Sequence, residues 1–208
     1  MKALLQKDFF NLKDIFPSAV LLGVPLLLIL QFTTSGTEQG LIDPLAAYWA
    51  IFFFSSVALL YRSFSLEHRH STFIVYSAFG VSRLKIFASQ ALIQFLGLLS
   101  LGAIYSGLLL IFWPSLPIDW TNGTAALFLA AACLAPLGTL LGLLLQTERE
   151  FLFSIFFLPL CTPVILGAHS LSTEWTQAWA AVLSVFALAG AFVSALIFEF
   201  FFDELSQI

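Results

Sequence analysis

The segment LAPLGTLLGLLLQTEREFLFSIFFLPLCTPVILGA, residues 134–168, contains two apolar runs separated by the charged residues Glu148, Arg149 and Glu150. Each run belongs to an apolar window close to the roughly 20 residues that an α-helix needs to cross the hydrocarbon core of a bilayer. The short charged link is too polar to enter that core. The segment therefore predicts two membrane-spanning helices joined at one membrane surface.

The same pattern extends over the whole chain. Of its 208 residues, 60% are hydrophobic and 10% are charged, whereas an ordinary soluble domain is about 45–50% apolar. Six apolar windows predict six spans, at residues 17–33, 44–61, 86–113, 124–145, 151–169 and 178–202. The expected fold class is an all-α integral membrane protein with six transmembrane helices in a single domain.

Two further helices are predicted at the membrane surface. In residues 1–16, apolar side chains share one helical face opposite Lys2 and Lys13, which predicts an amphipathic helix in the interface that ends before Pro17. The alternative is an extension of the first span. Residues 64–80 are too polar to cross the membrane, and Gly80 suits a helix end. They predict a short cytoplasmic coupling helix between spans two and three.

Positive charge lies on one side of the predicted layout. All eight basic residues come before span one, between spans two and three or between spans four and five: Lys2, Lys7, Lys13, Arg62, Arg69, Arg83, Lys85 and Arg149. Lysine and arginine near span ends favour the cytoplasmic side. We therefore expect both termini in the cytoplasm, although the net charge of the chain is −4.

Span four contains Gly138 and Gly142, spaced to let two helix backbones approach closely. Such a face packs either against a helix of the same chain or against another subunit. In span five, Pro159 and Pro163 each remove a backbone hydrogen bond and predict a kinked or broken helix.

The predicted spans contain no charged residue near their middles, and the chain has no phosphate-binding loop or zinc-protease motif. Ion channels with a charged filter, proton-coupled transporters and intramembrane proteases need ionisable groups in the membrane. The sequence therefore predicts a non-enzymatic protein that draws energy from a partner.

The remaining polar residues favour structural roles. His68 and His70 would point about 200° apart on a helix, which argues against a metal site. Gln90 and Gln94 share a helical face and are typical of polar contacts between helices. His169, at the outer end of span five, is the histidine placed to meet an outside ligand such as haem.

This layout resembles the permease subunits of type-2 ABC exporters, and among them the CcmB family, haem exporter protein B of cytochrome c maturation. The likeness is carried by IDPLAAYWAIFFFSSVALLYRSFSLEHR at residues 42–69 and by residues 134–168. The second stretch contains the family's Leu-Pro-Leu-x-x-Pro signature at residues 158–163. The chain departs from the family at residues 71–74 and 148–151.

The resemblance implies a permease subunit in a bacterial or organellar inner membrane that works with a CcmA-like ATPase and with CcmC- and CcmD-like membrane proteins. In the family, ATP hydrolysis on the ATPase is linked to release of CcmE, the chaperone that carries haem. The residues expected to contact the ATPase are Glu67, Arg69, Ser71, Thr72 and Phe73, with Glu148, Arg149 and Glu150 as a second contact.

Two other functions are compatible with the sequence. One is a permease of the same architecture for another substrate, such as a lipid-linked polymer or a drug. The other is a membrane scaffold that assembles a complex and transports nothing.

Overall fold

The computed structural model describes residues 2–34, 43–69, 82–114, 119–144 and 150–205, and the regular structure in these ranges is α-helical. The helices are α1 (Lys2–Thr34), α2 (Pro44–Arg69), α3 (Arg83–Phe112), α4 (Trp120–Leu144), α5 (Glu150–Thr173) and α6 (Gln177–Leu205). Each contains a stretch that is long and apolar enough to cross a membrane. The prediction of an all-α fold with six helices long and apolar enough to cross a membrane is confirmed.

Helix α1 is one unbroken element, whereas the sequence predicts a separate helix that ends before Pro17. Its first half packs along α3, where a Cβ on Gly97 would lie 2.9 Å from the Leu12 side chain. The Ser89 hydroxyl donates a hydrogen bond to Asp8 over 2.9 Å. Packing of this kind lets a membrane helix tolerate an internal proline. Residues 2–16 are therefore continuous with the first spanning helix, and their placement in the membrane interface stays a prediction.

Helix α2 begins at a capped end and continues beyond its predicted span. The Asp43 carboxylate accepts a hydrogen bond from the backbone N–H of Leu45 over 3.0 Å, as a helix N-cap does. The predicted span ends at residue 61, but the helix continues to Arg69. The first residues of the predicted coupling helix are thus the last turns of α2, and residues 70–80 lie outside the described part of the chain.

Helix α4 lies at the centre of the bundle, where it packs against α2, α3, α5 and α6. Its contact faces carry small buried side chains: Ala126, Ala130, Ala131, Cys133 and Ala135. A Cβ on Gly138 would lie 2.7 Å from Cδ1 of Leu60 on α2. The glycine predicted to pack helices therefore does so within this chain, and Gly142 is also buried.

Helix α5 continues unbroken through Pro159 and Pro163. The break that the sequence allowed is absent, and a kink at either proline stays a prediction. Helix α6 packs on α3, α4 and α5, yet it leaves large apolar side chains exposed, including Leu188 and Phe192. Exposed apolar surface of this extent is what a helix surrounded by lipid presents.

Candidate functional site

The predicted ATPase-contacting residues are found at one end of the bundle, as far as the structure describes them. Glu67 and Arg69 lie in the last turn of α2 and Glu150 is the first residue of α5. The set Ser71, Thr72, Phe73, Glu148 and Arg149 lies outside the described residues.

The relative direction of α2 and α5 brings these helix ends to the same side. Asp43, the residue before α2, lies 3.6 Å from His169 of α5, while Phe53 of α2 stacks on Phe157 of α5 with ring centroids 5.9 Å apart. The residue numbers therefore rise along α2 as they fall along α5, so the two helices are antiparallel. The end of α2 and the start of α5 consequently lie at the same end of the bundle.

The helices that flank the link between α2 and α3 are firmly embedded. Leu59 and Leu60 of α2 are fully buried, and Ile86 of α3 is 1% exposed. The Arg83 guanidinium at the start of α3 donates a hydrogen bond to the backbone carbonyl of Glu199 on α6 over 3.0 Å. The link thus begins and ends on elements that are fixed in the bundle.

A buried acidic residue at the same end was missed by sequence reasoning. Asp8 is 6% exposed and accepts the hydrogen bond from Ser89 described above, and Lys7 Nζ lies 3.5 Å from its other carboxylate oxygen. The prediction of a surface helix assigned no role to Asp8. The signal that could have found it is its spacing from Leu12 and Ile15, since residues at i, i+4 and i+7 share one helical face.

One of the two buried amides, that of Gln94, connects helices, as the sequence favoured. Gln94 is 2% exposed and Thr139 is fully buried, and the Thr139 hydroxyl donates to the Gln94 side-chain carbonyl over 2.9 Å. Gln90 is buried one turn earlier on α3. This polar contact joins α3 to α4 well away from either helix end, where a hydrogen bond between membrane helices adds modest stability.

A second feature, the α2–α5 cavity, lies at the opposite end of the bundle and has a volume of about 310 Å³. Its lining residues are Leu45, Tyr48, Trp49, Ala103, Ser106, Gly107, Leu109, Leu110, Trp120, Gly123, Thr124, Leu127 and Ser172. Two hydrogen bonds fix its walls. The Tyr48 hydroxyl lies 3.1 Å from that of Ser106, and the Trp49 indole N–H donates to Ser172 over 3.2 Å.

The α2–α5 cavity is open because two of its residues have no side chain. A Cβ on Gly107 or on Gly123 would have no atom within 4 Å outside its own helix backbone. The volume is at the lower end of the range of small-molecule sites, about 300–1,000 Å³. No carboxylate, amine, guanidinium, imidazole or thiol belongs to the described lining, so its chemistry is that of packing and neutral hydrogen bonding.

At this end, the Nε2 atom of His169, considered above as a residue for an outside ligand, lies 3.6 Å from the Asp43 carboxylate. Within the described ranges, no group of three or more His, Cys, Asp or Glu side chains is arranged to hold a metal ion. The buried cysteines, Cys133 and Cys161, are free thiols.

The geometry thus offers a set of anchored helix ends on one face and a neutral cavity toward the other. In comparisons with known proteins, no protein family, no curated sequence and no solved structure matches the chain.

Proposed function

We propose that the protein is a non-catalytic permease subunit that a separate ATPase drives from the cytoplasmic face, in the manner of the CcmB family that its sequence resembles. The observation that carries the proposal is the anchoring of the link between α2 and α3. Leu60 at one flank is fully buried beneath Gly138 of α4, and Ile86 at the other flank is buried on α3. A displacement of the link would therefore move α2 and α3 together and press on α4.

In this mechanism the chain transmits movement, and its partner proteins carry out the chemical reactions. ATP is hydrolysed on a CcmA-like ATPase, and haem is the cargo of the assembly with CcmC-, CcmD- and CcmE-like proteins.

In the proposed orientation, the protein lies in a bacterial or organellar inner membrane with both termini on the cytoplasmic side. All eight basic residues fall on that side of the six predicted spans. A periplasmic reporter enzyme fused after Glu38 is expected to be active, and the same enzyme fused to the C-terminus is expected to be inactive. The reverse pattern would contradict the assigned orientation and, with it, the cytoplasmic position of Arg69.

The coupling role is tested with Arg69→Glu in the complex purified with its ATPase and reconstituted in lipid. Charge reversal at the end of α2 should reduce ATP hydrolysis to the basal rate of the free ATPase while the subunit still inserts. Lys13→Glu is the matched control, since it reverses an exposed charge on the same predicted side but outside the link. The control should retain full stimulation.

Two results would count against the proposal. Full stimulation of ATP hydrolysis by the Arg69→Glu complex would remove the link from the coupling pathway. Unchanged delivery of haem to the CcmE-like chaperone in a complex whose ATPase cannot hydrolyse ATP would favour the scaffold, which needs no hydrolysis.

A further inference from the structure

A groove on the surface of the bundle between α1 and α2 is not used by the proposed mechanism. This α1–α2 groove has a volume of about 470 Å³ and is lined by Leu22, Leu26, Phe54, Val57, Ala58, Tyr61 and Arg62. Leu22 is 41% exposed and Phe54 is 54% exposed. The groove therefore faces the surroundings of the bundle and is separate from the buried core.

The α1–α2 groove has one charged end and an apolar body. Its α2 residues follow the i, i+3, i+4, i+7 spacing of a single helical face, from Phe54 to Arg62. Eight residues separate these two, a rise of about 12 Å along the helix. Arg62 is exposed and lies next to Ser63, where the apolar stretch of α2 ends. With α2 crossing a bilayer over Pro44–Ser63, the Arg62 guanidinium would lie at headgroup depth and Phe54 near the middle of the hydrocarbon.

We propose that the α1–α2 groove is a binding site for one anionic phospholipid, with an acyl chain in the groove and the phosphate on Arg62. The planar guanidinium forms paired, charge-assisted hydrogen bonds with phosphate oxygens. Small side chains at Val57 and Ala58 leave the volume that the chain would occupy. The site requires only that α1 and α2 cross the bilayer, so it does not depend on the ATPase-coupling role.

The charge of the groove favours a lipid over a helix of a partner protein. No carboxylate belongs to its described lining, so an apolar helix seated there would bury Arg62 without an opposite charge. An unpaired buried charge is costly. An anionic phospholipid supplies the counter-charge at the depth of Arg62 and hydrocarbon everywhere else.

The test measures phospholipid retained by the purified full-length protein in native mass spectrometry, with phosphatidylglycerol or phosphatidylcholine added at matched concentrations. The wild type should retain phosphatidylglycerol preferentially. Arg62→Gln should lower its apparent affinity about tenfold, the usual scale for one charge-assisted contact. Lys85→Gln removes an exposed charge from the start of α3 and should leave retention unchanged. Equal retention by the wild type and Arg62→Gln would overturn the proposal.

A second variant tests the acyl chain independently of the charge. Ala58→Phe places a ring in the groove and should reduce retention of phosphatidylglycerol with Arg62 intact. If that variant does not fold, as judged by early reaction of the buried Cys133 and Cys161 with a thiol dye, Ala58→Leu replaces it. Unchanged retention in a folded variant would overturn the placement of the chain.

The occupant in the native membrane is identified by a photo-reactive benzophenone amino acid introduced in place of Phe54, an exposed ring that already lines the α1–α2 groove. Crosslinking in whole membranes should add the mass of a phospholipid to the protein. A crosslink to another polypeptide as the main product would overturn the lipid assignment and identify the groove as a protein interface.

Discussion

Helices α4 and α6 are similar in length and both strongly apolar, yet they differ in how much of their surface is buried in the bundle. In the most apolar 18 residues of each helix, 72% are buried in α4 and 17% in α6. The buried helix presents small side chains such as Ala131, Cys133 and Gly138, whereas the exposed one presents Leu188 and Phe192. Lipid tails are as apolar as leucine, so hydrophobicity does not draw one membrane helix into the centre of a bundle. The helix whose small side chains allow close approach of the backbones takes that position.

The strongest test of this contrast removes a large side chain from each helix. Leu134 of α4 is fully buried and Leu188 of α6 is 74% exposed. Leu134→Ala leaves a cavity among packed helices and should lower the free energy of unfolding by about 3 kcal/mol. Leu188→Ala only exchanges contacts with lipid or detergent and should change it by less than about 0.5 kcal/mol.

Unfolding is measured by titration with SDS in mixed micelles, followed by the reaction of a thiol-specific dye with Cys133 and Cys161, which are buried in the native state. Similar losses for Leu134→Ala and Leu188→Ala would mean that the exposed face of α6 is covered in solution, and would place a second chain against it.

The second test adds one methyl group to each helix. A Cβ on Gly138 would lie 2.7 Å from the Cδ1 atom of Leu60, and Leu60 is fully buried and has little room to move. Gly138→Ala should therefore destabilise the protein by about 2 kcal/mol through overpacking. The matched variant is Gly190→Ala on α6, where the new Cβ would lie 3.7 Å from Leu137, an ordinary contact.

Gly190→Ala should be neutral or slightly stabilising, because alanine is the better helix former. A neutral Gly138→Ala would show that α2 and α4 separate easily. That outcome would also weaken the proposed transmission of movement from the link to α4, since this contact carries it.

Which helices cross the membrane could be predicted from the sequence, because apolar runs of spanning length are visible in one chain. The sequence predicts that a helix ends before Pro17, but α1 continues through this residue. Packing of α1 on α3 outweighs the local effect of the proline. The burial of Asp8 depends on the same packing. The difference between α4 and α6 was also hidden, because both read as strongly apolar windows.

In the candidate site, too, some features could be predicted from the sequence and others could not. The charged ends of α2 and α5 could be assigned to one membrane surface from their sequence alone. The α2–α5 cavity and the α1–α2 groove arise where side chains are missing or small, at Gly107, Gly123 and Ala58. A sequence shows which side chains exist, whereas empty volume depends on how neighbouring helices are placed around them.

A third test compares hydroxyl groups on the two helices. Thr139→Val on α4 removes the hydroxyl that donates to Gln94 and should cost about 1 kcal/mol, the scale of a hydrogen bond between membrane helices. Ser184→Ala on α6 removes a hydroxyl that bonds to the Ala180 carbonyl of its own helix and should have almost no effect. Both are measured by the SDS titration.

The double variant Thr139→Val with Gln94→Leu separates the hydrogen bond from the packing. Replacing both partners by apolar side chains of similar shape should recover most of the lost stability. If the double variant is less stable than the sum of the single changes predicts, the amide has a further role in the bundle core.

The smallest effect is expected where α4 and α6 begin. Asp119 lies before α4, and its carboxylate accepts hydrogen bonds from the Thr121 hydroxyl over 2.6 Å and from the Thr121 backbone N–H over 3.0 Å. These bonds hold the pKa of Asp119 below its ordinary value of 3.8, the hydroxyl contributing most. The residue before α6 is Thr176, which is uncharged, so its contribution should not depend on pH.

A carboxyl whose pKa is lower in the folded state than in the unfolded chain stabilises the folded state at pH values above the unfolded pKa. That contribution is lost as the pH falls through the lower, folded value. The stability difference between the wild type and Asp119→Ala should therefore be present at pH 7 and shrink once the pH falls below about 4. The corresponding difference for Thr176→Ala should stay constant over the same range. A pH-independent difference for Asp119→Ala would show that the cap of α4 acts through shape alone, as we expect of the α6 terminus.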